Sequence, residues 1–401
     1  MVTTNSAIAD SVTYGANNYN PLPMVVTRAD GVYMWDTEGN RYLDCLAAYS
    51  AVNQGHRHPR ILKAMIEQMG RVTLTSRAFH NDQIGGFLKK VCEVTEMEMT
   101  LPMNSGAEAV ETAIKAARKW GYQVKKVAED KAEIIVCSGN FHGRTMGLVS
   151  FSTEKQYREG FGPFLPGFRT IEFGNIQDLE KAITPNTVAF LMEPIQGEAG
   201  IQIPPSGFLT RARELCTKNR VLLMFDEIQT GLGRTGKMFA YQHEQNAKPD
   251  VLILGKALSG GMYPISVMVS SKEVMGVFKP GDHGSTFGGN PLAAAIGQAA
   301  LDVLVDENLA ERSREMGAYL FEKIQAIRSD HVLEVRARGL MVGIEIKKIS
   351  GSARPFCEKL MKLGVLAKET HGQTIRIAPP LVINREQLDF LVSCLNQVLQ
   401  T

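Results

Sequence analysis

Along the middle of the chain, short unbroken apolar runs alternate with longer stretches of helical spacing. The runs Glu133–Cys137, Val188–Met192, Val221–Phe225 and Val251–Leu254 read as strands buried on both faces. Each is followed at once by polar or glycine-rich residues: Ser138-Gly139-Asn140-Phe141-His142-Gly143, Glu193-Pro194, Asp226-Glu227 and Gly255-Lys256. This alternation predicts a mainly parallel sheet with helices on both faces, an α/β architecture. The run Ile265–Ser270 adds a strand of either direction. A helix opens at Asn104-Ser105-Gly106-Ala107-Glu108, with Ala107, Val110, Ile114 and Ala117 on one face. From Leu292 to about Ile327 the spacing predicts a helix. Shorter β-like pieces follow at Val332–Val335, Met341–Ile346 and Thr374–Ile377, then a closing helix over Arg385–Leu399. Near the start, Gly31–Asp36 and Tyr42–Asp44 flank Glu38-Gly39-Asn40, which predicts a β-hairpin.

These elements divide the 401 residues into an N-terminal segment over 1–50, a large domain over 51–291 and a smaller α+β domain over 292–401. The hairpin of the first segment is expected to pack with the small domain. No internal repeat, low-complexity tract or flexible linker interrupts them. Charge narrows the class: 44 basic against 42 acidic residues leave a net +2, with no electrostatic footprint for nucleic acid or an anionic membrane. No apolar stretch approaches the length of a membrane span, and Met1-Val2-Thr3-Thr4-Asn5-Ser6 lacks the charged and apolar regions of a secretion signal. The six cysteines, with no C-x-x-C pair, read as reduced residues. The expectation is a cytoplasmic globular protein.

In open α/β sheets ligands sit beyond the carboxyl ends of the strands, so the unusual groups converge on one sheet edge. Lys256 leaves a buried strand there, where lost hydration disfavours the ammonium and makes a nucleophilic amine available. Asp226 ends another apolar run. A carboxylate and an amine at neighbouring strand ends suit pyridoxal phosphate, which needs one group for its ring nitrogen and one for its aldehyde. A plain buried Lys–Asp ion pair is the alternative from these two residues alone. Ser105 with Glu108 fits a helix capping box, and Gly106 equally fits a phosphate approaching the positive helix end. Ser285 and Thr286, beside glycines, offer hydroxyls to the same phosphate or form an ordinary turn. Phe141 is placed to stack on a planar ring or to fill the core. Arg144 and Arg376 suit a bidentate grip on a carboxylate or a structural ion pair, for which Glu198 is a partner. Two patterns point elsewhere. Gly231-Leu232-Gly233-Arg234-Thr235-Gly236 matches a dinucleotide-binding glycine motif in letters, but five residues separate it from the strand and no amphipathic helix follows. His56 and His58 lack the further His/Cys cluster that a metal site needs.

Taken together, these segments resemble the class III aminotransferase family of the pyridoxal-phosphate fold type I superfamily, nearly end to end. The most specific stretch is Leu223-Met224-Phe225-Asp226-Glu227-Ile228-Gln229-Thr230-Gly231-Leu232-Gly233-Arg234-Thr235-Gly236, continuing to Leu254-Gly255-Lys256-Ala257-Leu258. Asn104-Ser105-Gly106, Phe141-His142-Gly143-Arg144 and Gly284-Ser285-Thr286-Phe287-Gly288-Gly289-Asn290-Pro291 agree with it. Gly15-Ala16-Asn17-Asn18-Tyr19-Asn20-Pro21-Leu22-Pro23 and Tyr49-Ser50-Ala51-Val52-Asn53-Gln54-Gly55-His56 resemble the branch acting on ornithine rather than those acting on acetylornithine or 4-aminobutyrate.

The resemblance implies that pyridoxal 5′-phosphate is carried covalently on Lys256, which then shuttles a proton. Asp226 would pair with the ring nitrogen, Gln229 with the 3′-oxygen, and Phe141 would stack on the ring. Ser105, Gly106 and Ala107 would hold the phosphate, with Ser285 and Thr286 completing the cradle from the second subunit of a homodimer. His142 stands where some relatives carry tryptophan, so a stacking role does not transfer to it directly. Tyr19 and Arg144 would bind the α-amino and α-carboxylate end of L-ornithine, with Tyr49 a further substrate-binding residue. Arg376 would take a carboxylate of 2-oxoglutarate, with Glu198 masking it while ornithine is bound. The implied reaction moves the δ-amino group of ornithine to 2-oxoglutarate through pyridoxamine phosphate.

Overall fold

The computed structural model describes residues 3–400. Its centre is a seven-stranded sheet in the order Met99–Met103, Ser266–Ser270, Val251–Leu254, Leu222–Asp226, Thr187–Met192, Glu133–Cys137, Phe168–Ile171. Only Ser266–Ser270 runs against the rest. The inner strands are buried along their length because apolar layers cover both faces. Helix Gly106–Trp120 lies on one face with Val110, Ile114 and Ala117 buried. Helices Phe208–Lys218 and Pro291–Asp306 contribute to the layer on the other.

The run at 265–270 proves antiparallel to both neighbours. The strand expected at 221–225 is shifted by one residue, so that Asp226 is its last paired position, opposite Ile253. Two edge strands had no counterpart in the pattern. Met99–Met103 contains Pro102, which fits only where one side of the ladder is free, and Phe168–Ile171 is half exposed, so neither forms a continuous apolar run. The helix expected from 292 to 327 is in fact two, Pro291–Asp306 and Leu309–Gln325. Asn308 adopts φ 49° between them, a left-handed conformation that asparagine tolerates and helical spacing does not reveal.

The hairpin Tyr33–Asp36/Arg41–Asp44 is present, with a further strand, Val26–Asp30, on its outer side. Its inner side pairs in parallel with Val365–Leu366, so the start of the chain is sewn to the C-terminal region. A separate antiparallel sheet, Val332–Arg338, Met341–Ile346, Thr374–Ile377, Lys368–Thr370, lies in that region. All six cysteines are free thiols. Among the described residues, no helix is long and apolar enough to cross a membrane.

The glycine-rich turn at 231–236 serves the fold. Its Arg234 is fully buried and donates to the carbonyls of Leu340 (3.0 Å) and Pro379 (2.6 Å) and to Asn53 Oδ1 (2.5 Å), joining three distant stretches. Burial pulls its guanidinium down to about 9. Arg234→Met leaves those acceptors unpaired, a loss of about 3–5 kcal/mol by analogy with broken buried polar pairs. Denaturant unfolding of the cofactor-free protein should show it, and an unchanged midpoint would contradict this role.

Candidate active site

Five strands of the sheet deliver their carboxyl ends to one edge, and a cavity of about 470 Å³ opens there. Asn104, Gly106, Ala107, Phe141, His142, Glu193, Glu198, Asp226, Ile228, Gln229 and Lys256 line it. This volume lies in the range of small-molecule sites. A second cavity, about 510 Å³, adjoins it through Phe141 and Glu198 and is lined by Tyr19, Tyr49, Arg144, Tyr157, Lys368 and Arg376.

Lys256 stands two residues beyond strand Val251–Leu254, at φ 46°, a strained backbone for a side-chain-bearing residue. Among the described residues its amine forms no ion pair or hydrogen bond. Burial pulls the amine below its ordinary range; Glu198 and Asp226 oppose the fall and Arg376 adds to it. An amine that is unpaired and easily deprotonated is a nucleophile.

Asp226 accepts from the Ile228 amide (3.0 Å) through one oxygen and holds His142 Nδ1 at 2.7 Å through the other. His142 is buried and its Nε2 has no partner. Burial works against the imidazolium, but the bond to Asp226 and the charges of Asp226 and Glu193 outweigh it and raise the His142 pKa. Glu193, just past strand Thr187–Met192, accepts from the Phe141 amide (3.0 Å), and burial pushes its carboxyl up to about 8. It holds the Phe141 backbone beside the cavity. In the sequence Glu193 is legible only as a polar group at a strand end.

Helix Gly106–Trp120 aims its N-terminus at the cavity. The Ser105 hydroxyl accepts from the Glu108 amide, and the Glu108 carboxylate accepts from the Ser105 amide, so the capping box is present and the Ser105 side chain is spent on it. Ser105 does not line the cavity. The Gly106 and Ala107 amides have no acceptor among the described residues, which leaves two donors at the positive helix end. A Cβ on Gly106 would lie 2.9 Å from Ile228 Cδ1, so only glycine fits without a shift. Ser285 accepts from Asn104 (2.8 Å), while Thr286 is exposed; neither faces the cavity of its own chain.

Arg376, only 2% exposed on strand Thr374–Ile377, grips Glu198 with both terminal nitrogens at 2.6 and 3.2 Å. Gln229 adds a bond to Glu198 at 3.0 Å. Burial alone would raise the Glu198 carboxyl, but Arg376 and Gln229 hold it down to about 2. A Cβ on Gly197 would fall 1.7 Å from Gln229 Oε1, so that glycine makes room for the network. The Arg376 guanidinium lies 5.0 Å from the centre of the Tyr49 ring. Arg144 sits over three rings, Tyr157 (4.8 Å), Phe141 (5.7 Å) and Tyr19 (5.9 Å), with Tyr19 itself 66% exposed at the mouth. Tyr157 was not legible beforehand because its short helix carries no motif.

Tyr49 lies in an unusual piece of chain. Ala47, Ala48, Tyr49 and Ser50 all have positive φ, from 47° to 70°, forming one left-handed turn without a glycine. Each such residue costs roughly 1–2 kcal/mol. The two histidines near this turn are each engaged with a carboxylate. His56 binds Asp44 (2.8 Å) and His58 binds Glu307 (3.0 Å), and no cluster suited to a metal exists among the described residues.

The donor set fits a phosphorylated pyridine aldehyde. Free amides at a helix N-terminus suit the phosphate, Phe141 suits a planar ring, Asp226 suits a protonated ring nitrogen, and the unpaired Lys256 amine suits the carbonyl. The class III aminotransferase profile matches residues 14–399, and the chain belongs to that family. Its cofactor is pyridoxal 5′-phosphate. It is 59% identical to an ornithine aminotransferase of Brevibacillus brevis over 100% of this chain and 99% of that one. An ornithine aminotransferase of a Geobacillus species is 58% identical over 99% of both. The crystal structure of the ornithine aminotransferase from Toxoplasma gondii superposes with a TM-score of 0.98 at 42% identity, covering 100% of this chain and 95% of that one. An acetylornithine aminotransferase from Elizabethkingia anophelis superposes at 0.90 with 45% identity, over 100% and 99%.

Proposed function

We propose that this chain transfers the δ-amino group of L-ornithine to 2-oxoglutarate, giving glutamate 5-semialdehyde, which cyclises to pyrroline-5-carboxylate, and L-glutamate. The observation that carries this reading is the Glu198–Arg376 bridge between the lysine cavity and the mouth. One pocket must admit a diamine and then a diacid, and a displaceable carboxylate on one arginine lets it do both. The three ornithine aminotransferases named above support the same substrate.

Bound pyridoxal phosphate supplies an electron sink for the pair left when a C–H proton departs from the substrate. The protein's part is positional and acid–base. Lys256 holds the cofactor and then carries the proton away from the substrate carbon. Asp226 keeps a proton on the ring nitrogen, and His142 fixes the carboxylate. Gly106 and Ala107 bind the phosphate, and Ser285 and Thr286 of a second copy complete its cradle, which makes the homodimer the active unit. Gln229 would donate to the ring 3′-oxygen. Tyr19, Tyr49 and Arg144 hold the α-amino and α-carboxylate end of ornithine, so that only the δ-amine reaches Lys256. When 2-oxoglutarate enters, Glu198 swings off Arg376 and a substrate carboxylate replaces it.

The test is product identity. Ornithine with 2-oxoglutarate should give the pyrroline, and the α-keto acid of ornithine would overturn the δ assignment. Tyr19→Phe should raise KM for ornithine at least about tenfold, the worth of one bond to a charged group. Unchanged ornithine turnover would instead favour the acetylornithine reading that the Elizabethkingia anophelis neighbour suggests.

A further inference from the structure

The left-handed turn at 47–50 is built without the residue that makes such turns easy, so something must hold it. Asp44, 1% exposed, is the last residue of strand Arg41–Asp44. One of its carboxylate oxygens accepts from the amides of Leu46 and Ala47, both at 2.9 Å, where the chain enters the turn. The other meets His56 Nε2 at 2.8 Å. His56 is in turn fastened by two backbone bonds with Gly31, at 2.8 and 3.0 Å. Beyond the turn, Asn53 bonds the Leu232 carbonyl (3.0 Å) and receives Arg234, while Gln54 donates to the carbonyl of Ala257 (2.9 Å), next to Lys256. The turn is therefore clamped at both ends. What it presents is Tyr49, whose ring faces the Arg376 guanidinium within the substrate cavity. A right-handed turn between the same ends would direct the tyrosine elsewhere.

We infer that Asp44 and His56 are positioning residues for substrate selection: by holding residues 47–50 left-handed they fix Tyr49 against Arg376 and so set the affinity for the amino donor. The inference rests on the reading of Tyr49 as a substrate-binding group. Neither Asp44 nor His56 touches the cavity, so both act through the turn.

The experiment compares His56→Leu, His56→Gln, Tyr49→Ala and His56→Leu/Tyr49→Ala in the holoenzyme, with KM and kcat for ornithine, acetylornithine and 4-aminobutyrate. For whichever donor the unaltered enzyme accepts, His56→Leu should raise KM by about tenfold to a hundredfold, the loss expected from a small misplacement, and leave kcat within about twofold. His56→Gln, which retains a donor toward Asp44, should restore most of the affinity. The double variant should be no worse than Tyr49→Ala, because both changes remove the same contact. Ala48→Gly keeps the test decisive if His56→Leu folds poorly. Glycine reaches the left-handed region without a clamp, so Ala48→Gly should raise the melting temperature alone and recover the donor affinity of His56→Leu. Additive losses in the double variant, or a fall in melting temperature with KM unmoved, would overturn the inference. Refusal of ornithine by the unaltered enzyme would defeat the functional proposal alone, since the cycle is still read on the accepted donor.

Discussion

Lys256→Ala should abolish transamination, lowering the rate by more than about 10⁴-fold, because one amine both holds the cofactor and moves the proton, and positioned proton transfer by itself contributes up to about that factor. Borohydride reduction followed by mass spectrometry should fix the cofactor to position 256 in the unaltered enzyme and leave none there in the variant. Without cofactor the same change carries a stability signature. The amine's pKa lies below its ordinary 10.5 in the folded state because burial penalises the charge. The folded protein then binds fewer protons than the unfolded chain in the interval between that depressed value and 10.5, so stability rises with pH across it and is lost as pH falls through the depressed value. Alanine removes this slope. At neutral pH the variant should therefore be at least as stable as the parent. Full turnover in the variant would defeat the assignment of the whole site.

The parts of the molecule that sequence patterning exposes are those with one physical demand on them. Strands Thr187–Met192, Leu222–Asp226 and Val251–Leu254 are covered on both faces, so almost every position must be apolar and the run is visible. Lys256 and Asp226 stood out because a charge ending such a run needs a reason. Edge strands carry a weaker demand, and Phe168–Ile171 hid for that reason. The turn at 47–50 was invisible on different grounds: its conformation is imposed by Asp44 and His56 rather than by glycine, and no local signal records a clamp made by residues outside it. Arg234 misled in the opposite sense. Its glycine-rich setting copies the letters of a nucleotide motif, while its hydrogen bonds go to Asn53, Leu340 and Pro379, far away in the chain. The pairing of Arg376 with Glu198 was expected, but its bidentate geometry and the room Gly197 leaves for Gln229 are tertiary facts.

Asp226→Asn should lower kcat by roughly 10²–10³-fold with the products unchanged, the scale of losing one preorganised charge at a reacting centre. Asparagine matches the shape of aspartate and can still accept from the Ile228 amide, so the fold should survive. What it lacks is the negative charge that makes a proton on the neighbouring ring nitrogen stable. A second, independent reading comes from His142. In the parent protein Asp226 is the chief group that overcomes burial and keeps the His142 pKa above its ordinary 6.5. With the charge gone, burial prevails, and an NMR titration of the cofactor-free variant should find His142 below that value. The two measurements separate causes. Lost activity together with a fallen His142 pKa ties catalysis to the carboxylate's charge. Lost activity with His142 still raised would mean that asparagine disturbed the geometry, and unchanged activity would remove Asp226 from the mechanism.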